Sequence, residues 1–180
     1  MTVDHFPRAR LDPRQRVAGR ILRLFNPLAR RLISAGMPTG APNVLLTVRG
    51  RRSGQLRTTP VGMLELDGRW FVQACYGESG WVGNLRAAGE ASIEGRGHQG
   101  VSVEATELPV DEAGAILRHA LEPFRQLRFL RAVLGQEARP PLMIQCAWGF
   151  RIDDTLEECV AEARRHPLFE LRPMSEASTP

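Results

Sequence analysis

Residues 44–76 read VLLTVRGRRSGQLRTTPVGMLELDGRWFVQACY, and this stretch decides the fold class. Val44–Val48 is a short, almost continuously apolar run of the kind found in a central strand. Gly50–Gly54 makes a turn, and Arg57–Leu66 reads as a second strand. Its Pro60 cannot donate to a ladder, which points to an edge or a bulge. Asp67-Gly68 is a strong signal for a two-residue hairpin, and Arg69–Tyr76 returns as a third strand. Strands joined by turns this short run antiparallel, because a parallel connection needs a crossover of a dozen residues or more.

The hairpin logic continues downstream. Gly77–Gly80 is a loop, and Ser79 is placed to cap a short helix over 80–88. Ala91–Arg96 and Gly100–Leu108 make a further hairpin, in which Val101, Val103 and Ala105 alternate with Ser102, Glu104 and Thr106. Two helices follow, over 111–122 and 123–134, meeting at Pro123. Residues 142–152 predict a last strand. Residues 153–165 predict a last helix, with Asp153-Asp154 at its N-cap. Upstream, Val17, Ile21 and Leu24 repeat at helical spacing over 13–25. Asn26-Pro27 interrupts that helix and starts a second one, ending near residue 35. The order suits an α+β fold, with a mostly antiparallel sheet and helices packed outside it, and not a doubly wound parallel sheet.

Composition excludes several classes. The 180 residues are 43% hydrophobic and 24% charged, ordinary for one globular domain and unlike a disordered or coiled-coil chain. No apolar run approaches the ~20 residues of a membrane span. Cys75, Cys146 and Cys159 form no CxxC pair, which argues against a zinc ribbon or a disulfide framework. The N-terminus has no apolar signal-peptide core, so a cytoplasmic location is expected. All 24 basic residues are arginine. Residues 1–57 hold 12 of them against Asp4 and Asp12, a local net charge of +10, while the remainder carries −6. A basic N-terminal third implies an anionic partner there.

Hydrolytic chemistry finds little support. Ser79 lies in GESGW, which is not the GxSxG elbow. His5, His98, His119 and His166 have no ligand spacing and read as surface residues, and no metal site is expected. Cys75 reads as a small core residue. The segment Arg49–Pro60 (RGRRSGQLRTTP) is different. Four arginines surround a tight turn, and Gly50 and Gly54 let the backbone bend there and expose N–H groups. Ser53, Gln55, Thr58 and Thr59 add hydrogen-bonding groups. Arginine forks match phosphate and carboxylate oxygens two at a time, so the segment reads as a polyanion site or as an ordinary basic hairpin turn. In Trp81-Val82-Gly83-Asn84-Leu85-Arg86, Trp81, Asn84 and Leu85 share one helix face. They would flank a flat heterocycle or pack into the core.

Together, GRRSGQLRTTPVG, the Asp-Gly hairpin and WVGNLRAAGEASIE resemble the deazaflavin (coenzyme F420)-dependent nitroreductase and quinone reductase family. That family's pattern is a GR[KR]SG-x-x-R-x-x-P turn followed by W-x-x-NL-[KR]-A-x-P. The resemblance covers roughly residues 40–108. It implies a split β-barrel related to FMN-binding barrels, and it implies coenzyme F420, whose phosphate and polyglutamate tail Arg51, Arg52, Ser53, Gln55 and Arg57 would hold. It places Pro60, Gly62, Cys75, Tyr76, Trp81 and Asn84 around the deazaflavin ring. The chain departs from the family in four places. Gly62 replaces a larger residue, Tyr76 a lysine and Gly89 the final proline. Phe124 and Leu127 stand where other members carry substrate-side tyrosines.

The expectation is therefore an oxidoreductase passing a hydride from reduced F420 to an apolar electrophile such as a quinone or activated alkene. Phe124 and Leu127 would face the substrate, and Tyr76 is the candidate proton donor. The chain would divide into a basic amphipathic helical segment (1–38), the barrel (39–170) and a C-terminal tail (171–180). Residues 13–35 either touch an anionic membrane peripherally or pack on the barrel or a partner subunit; the oligomeric state stays open. Nucleic acid is not expected, because aromatics are not interleaved with the basic stretch. The competing reading is a non-enzymatic split barrel binding FMN, haem or a fatty acid.

Overall fold

The computed structural model describes Arg31, Ile33 and residues 44–74, 79–133 and 155–174, with side chains through Glu122 in the long helix. In chain order the elements are β1 (Val44–Arg49), β2 (Leu56–Val61), β3 (Met63–Leu66), β4 (Arg69–Gln73) and α1 (Gly80–Ala88). There follow β5 (Glu90–Gly95), β6 (His98–Glu107), α2 (Val110–Val133), α3 (Leu156–Arg165) and β7 (Leu168–Pro173). The strands form one antiparallel sheet in the order β2-β1-β5-β6-β7-β4-β3.

This order forces the sheet to curl. β2 and β3 are its two opposite edges, yet only Gly62 separates them in the chain. The Cα atoms of Val61 and Met63 can be no more than about 7 Å apart, so the edges meet at that corner. Arg96, in the turn between β5 and β6, donates from Nη1 to the Met63 carbonyl at 3.3 Å. The rings of Trp70 and His98, on strands that are not neighbours, lie 4.4 Å apart. Both contacts need the far side of the sheet folded back. Among the described residues no ladder joins β2 to β3, so the barrel stays split along that line.

The concave face holds the main core. Val44, Leu46 and Val48 of β1, Val61 of β2, Met63 of β3 and Val72 of β4 contribute, with Ile93, Val103, Phe169 and Leu171 from the other strands. Val82 and Leu85 of α1 complete it, making that helix the plug of the half-barrel. On the convex face, α2 and α3 cover Phe71 and Leu168 with Ala113, Ile116, Leu117, Leu121, Cys159 and Ala163. β4 and β7 are therefore covered on both faces where Phe71, Val72, Leu168 and Phe169 lie.

Several local expectations hold for the reasons given. Asp67 and Gly68 both have positive φ, 51° and 73°, as a primed two-residue hairpin turn demands. Pro60 lies on an edge strand, opposite Leu45. Val101, Val103 and Ala105 face the core while Ser102, Glu104 and Thr106 are exposed.

Other expectations are corrected. The single strand expected over 57–66 is two strands broken at Gly62, where the chain turns the barrel corner. The helices expected to meet at Pro123 are one helix, α2, whose backbone continues through the proline. The last helix starts at Leu156 and is capped by Thr155, not by Asp153-Asp154. The Thr155 hydroxyl accepts from Glu158 N at 3.2 Å, and Glu158 Oε2 accepts from Thr155 N at 2.7 Å. Ser79 occupies the N-cap of α1, but its side chain makes no capping bond.

The C-terminal tail expected from residue 171 is contradicted at its start, because Leu171–Pro173 belong to β7. Glu170 lies within that strand only 5% exposed. Arg69 Nε donates to its Oε1 at 2.7 Å and Arg172 Nη2 to its Oε2 at 2.9 Å. The Arg69 bond first, then the Arg172 bond, hold the Glu170 carboxyl below its ordinary value against the opposing effect of burial. His166 is not a surface residue. It is 1% exposed, with Nδ1 2.6 Å from Glu162 Oε1 but out of line for a hydrogen bond.

The strand expected over 142–152 and the helices expected over 13–35 lie outside the described residues, apart from Arg31 and Ile33. Ile33 is buried, so at that position the chain covers its own apolar side chain. Among the described residues no helix is long and apolar enough to cross a membrane.

Candidate functional site

The turn between β1 and β2 is built by its glycines. Gly50 N donates to the Gln55 carbonyl and Gly54 N to the Gly50 carbonyl, both at 2.8 Å. Gly54 has φ +68°, which a glycine adopts without strain. A Cβ on Gly50 would lie 3.0 Å from Ser53 Oγ, 3.1 Å from the Gln55 carbonyl oxygen and 3.3 Å from Arg57 Nε. The Arg57 side chain thus lies directly over the turn. Arg49 Nη1 donates to the Gly54 carbonyl at 3.0 Å. Arg51, Arg52, Ser53, Gln55 and Arg57 are all exposed.

The turn is fastened to α1 through one residue. Asn84 Oδ1 accepts from Arg51 N at 3.2 Å and from Arg51 Nη1 at 3.1 Å, while Nη1 also donates to the Gly80 carbonyl at 3.2 Å. Gly83 makes room for this. A Cβ there would collide with Arg51 Nη1 and lie 2.8 Å from its Cζ. Asn84 is itself buried, 8% exposed. The two sequence motifs that carry the resemblance are one structural unit.

The far end of α1 is held as firmly. Arg86 in its last turn donates from Nε and Nη2 to both carboxylate oxygens of Glu107 on β6, at 2.5 Å and 2.8 Å. Gly89 ends the helix with φ +67°, its N–H donating to the Leu85 carbonyl. Proline cannot adopt that φ, so a glycine here replaces the family's proline by a different way of stopping the helix. Trp81 is half-buried, its ring centroid 6.0 Å from that of Phe169 at 54°.

Arg52 and Arg57 differ from Arg51. Among the described residues neither side chain forms a hydrogen bond or an ion pair. The turn therefore offers two guanidinium groups unengaged among the described residues, beside the Ser53 hydroxyl and the Gln55 amide. Pro60 and Gly62 are half-buried, at the end of β2 and at the barrel corner. Trp81 and Asn84 come together on α1, next to the turn. Cys75 and Tyr76 lie outside the described residues, and Phe124 and Leu127 lie on α2 beyond its described side chains. Among the described residues no group of His, Cys, Asp and Glu has metal-site geometry. The Arg51–Asn84 bonds and the space at Gly83 are what sequence reasoning missed, because Arg51 and Arg52 are chemically identical neighbours.

The family model described as F420H(2)-dependent quinone reductase matches residues 23–124, more than half the chain. The chain belongs to this family. It is accordingly an F420-dependent reductase, an oxidoreductase whose cofactor is coenzyme F420. Its split, mostly antiparallel barrel with peripheral helices agrees with the resemblance read from the sequence. No curated protein matches it. Among solved structures, an F420-H2 dependent reductase (FDR-A) is 20% identical, covering 73% of this chain and 95% of that one, with a TM-score of 0.41. A domain-swapped dimer is 18% identical, covering 89% and 100%, with a TM-score of 0.43. A NimC/NimA family protein from Clostridium acetobutylicum is 14% identical, covering 79% and 84%, with a TM-score of 0.38. Likeness at this level carries no argument about substrate or assembly.

Proposed function

We propose that this F420-dependent reductase acts on an apolar electrophile, a quinone or an activated alkene, and holds its cofactor across the arginine turn and α1. The observation that carries the reading is the pair of guanidinium groups of Arg52 and Arg57, unengaged among the described residues, on a turn fixed against a helix. A phosphate with a glutamate chain fits that donor set, since each fork binds two anionic oxygens. Arg52, Ser53, Gln55 and Arg57 would bind the tail, with Pro60, Gly62, Cys75, Trp81 and Asn84 bordering the ring.

Reduced F420 supplies a hydride when bound. The chain's own task is to orient the acceptor and to keep water out. The plugged, apolar concave face and the Trp81–Phe169 contact provide a rigid floor for this. Phe124 and Leu127, carried on α2, would contact the acceptor. Tyr76, the only tyrosine in the chain, would supply the accompanying proton, and unchanged turnover in Tyr76→Phe would remove it from that role. Residues 39–173 would form the cofactor domain. Contact of residues 13–35 with an anionic membrane belongs to the same proposal; it is lost if liposomes float the full chain and a chain lacking residues 1–38 equally.

The deciding experiment is a fluorescence titration with oxidised F420, with FMN in parallel. Saturable F420 binding that Arg52→Ala weakens supports the assignment, and a quinone and enone screen then names the acceptor class. F420 binding unaffected by both Arg52→Ala and Arg57→Ala overturns it.

A further inference from the structure

Four arginines crowd the turn, and sequence alone gives them one role. The structure separates them. Arg51 directs Nη1 away from the open side of the turn, into the notch left by Gly83, where it meets Asn84 Oδ1 and the Gly80 carbonyl. The same Asn84 oxygen also takes the Arg51 backbone N–H. One buried amide oxygen therefore fixes both the main chain and the side chain of the residue immediately before Arg52.

We propose that Arg51 is a positioning residue. With Asn84 it clasps the arginine turn onto α1, so that Arg52 and Arg57 are presented to the anionic tail of F420, and it makes no ionic contact with that tail itself. The inference rests on the assignment of the turn to the cofactor tail. Two observations carry it independently of charge. The Asn84 acceptor is nine-tenths buried and serves Arg51 twice. At Gly83 a methyl group would displace the guanidinium, whereas at Gly80 it would meet nothing within 4 Å. A residue meant to meet a ligand would not be held inside a helix notch by two carbonyl-type oxygens, whereas Arg52 and Arg57 have no such hold among the described residues.

The test uses the full chain with the variants Arg51→Ala, Asn84→Ala, Asn84→Asp, Arg51→Ala/Asn84→Ala and Arg52→Ala, each checked for a cooperative melt. In the apo protein, hydrogen exchange over residues 50–55 is expected to quicken in Asn84→Ala and to stay slow in Asn84→Asp, which keeps the acceptor oxygen. In F420 titrations, Arg51→Ala and Asn84→Ala are each expected to weaken binding about tenfold, the scale of losing a charge-assisted hydrogen bond. The double variant should be no worse than either single one. Arg52→Ala should flatten the salt dependence of binding more than Arg51→Ala, because the Arg52 charge is set against the anionic tail while the Arg51 charge acts on it only from the helix notch.

Additive losses, or a salt dependence flattened by Arg51→Ala as much as by Arg52→Ala, would overturn the clasp and make Arg51 a direct ligand. Unchanged exchange in Asn84→Ala would overturn it without any cofactor present. A wild-type protein whose turn shows the expected exchange but which binds no F420 would refute the cofactor assignment, and the claim about presentation with it, while leaving the clasp in place. If Asn84→Ala does not fold, Arg51→Ala on the exposed turn and Asn84→Asp still decide through exchange and salt dependence.

Discussion

Replacing Gly114 by alanine sets two effects of opposite sign against each other. Gly114 is buried in α2 where α3 crosses it. A Cβ there would collide with Val160 Cγ2 and lie 2.8 Å from Val160 Cα and 2.9 Å from Val160 N. Two of these are backbone atoms, so no rotamer change at Val160 relieves the overlap and the helices must move apart. In isolation, glycine to alanine inside a helix stabilises by about 1 kcal/mol. Overpacking a well-filled contact costs about 1–3 kcal/mol, and the backbone contacts place this case near the upper end. The net expectation is a loss of about 2 kcal/mol. At roughly 2–4 °C per kcal/mol for a chain of this size, the melting temperature should fall by about 4–8 °C. Gly80→Ala is the control, since nothing lies within 4 Å of its Cβ; it should be neutral or stabilising by up to about 1 kcal/mol. Calorimetric melts of both variants decide the matter. A Gly114→Ala protein melting at or above the wild type would refute the close packing of α2 on α3. Because α2 also carries Phe124 and Leu127, the variant should raise KM for the acceptor more than it weakens F420 binding.

Further expectations follow from other contacts. Glu170 is held by Arg69 and then Arg172 below its ordinary carboxylate value of 4.5. Its stabilising contribution is thus complete above that value and is lost as pH falls through the lower, folded one. Thermal melts from pH 7 down to 3 should show a smaller acid loss for Glu170→Gln than for the wild type, and equal slopes would contradict the pairing. Phe169→Ala should cost about 3–5 kcal/mol, as removal of a buried aromatic does. It should also weaken F420 binding by removing the ring beneath Trp81, and urea unfolding with a parallel titration checks both. Thr155→Ala breaks the capping box of α3 and should cost about 1 kcal/mol in the same unfolding assay.

The parts of the fold that were legible in the sequence have local causes. Asp67-Gly68 announces its turn because few residue pairs accept two positive φ values, and Pro60 announces an edge because it lacks a donor. The break at Gly62 was hidden, since apolar residues continue on both sides and only the closure of the sheet turns a glycine into a corner. β7 was hidden by its own composition. Glu170 and Arg172 look like surface residues, and the partner that makes Glu170 tolerable in a core strand, Arg69, is 101 residues away. Pro123 suggested a helix boundary by its missing N–H, but one lost bond did not end α2. At the site, the motifs revealed which segments matter. The division of labour between Arg51 and Arg52 depends on the notch at Gly83, and no property of either arginine announces it.

The place of β7 has a consequence for how the molecule is made. It is the last in chain order of the seven strands among the described residues, yet it lies between β6 and β4. Without it the sheet is two pieces, a four-stranded one and the β3–β4 hairpin, joined only through the corner at Gly62. During synthesis both pieces present an unpaired edge, a hazard for association with other nascent chains, until residues 168–173 leave the ribosome. The barrel thus assembles only after translation of those residues, and a stalled ribosome short of them would hold a nascent chain with two open edges for a chaperone to shield.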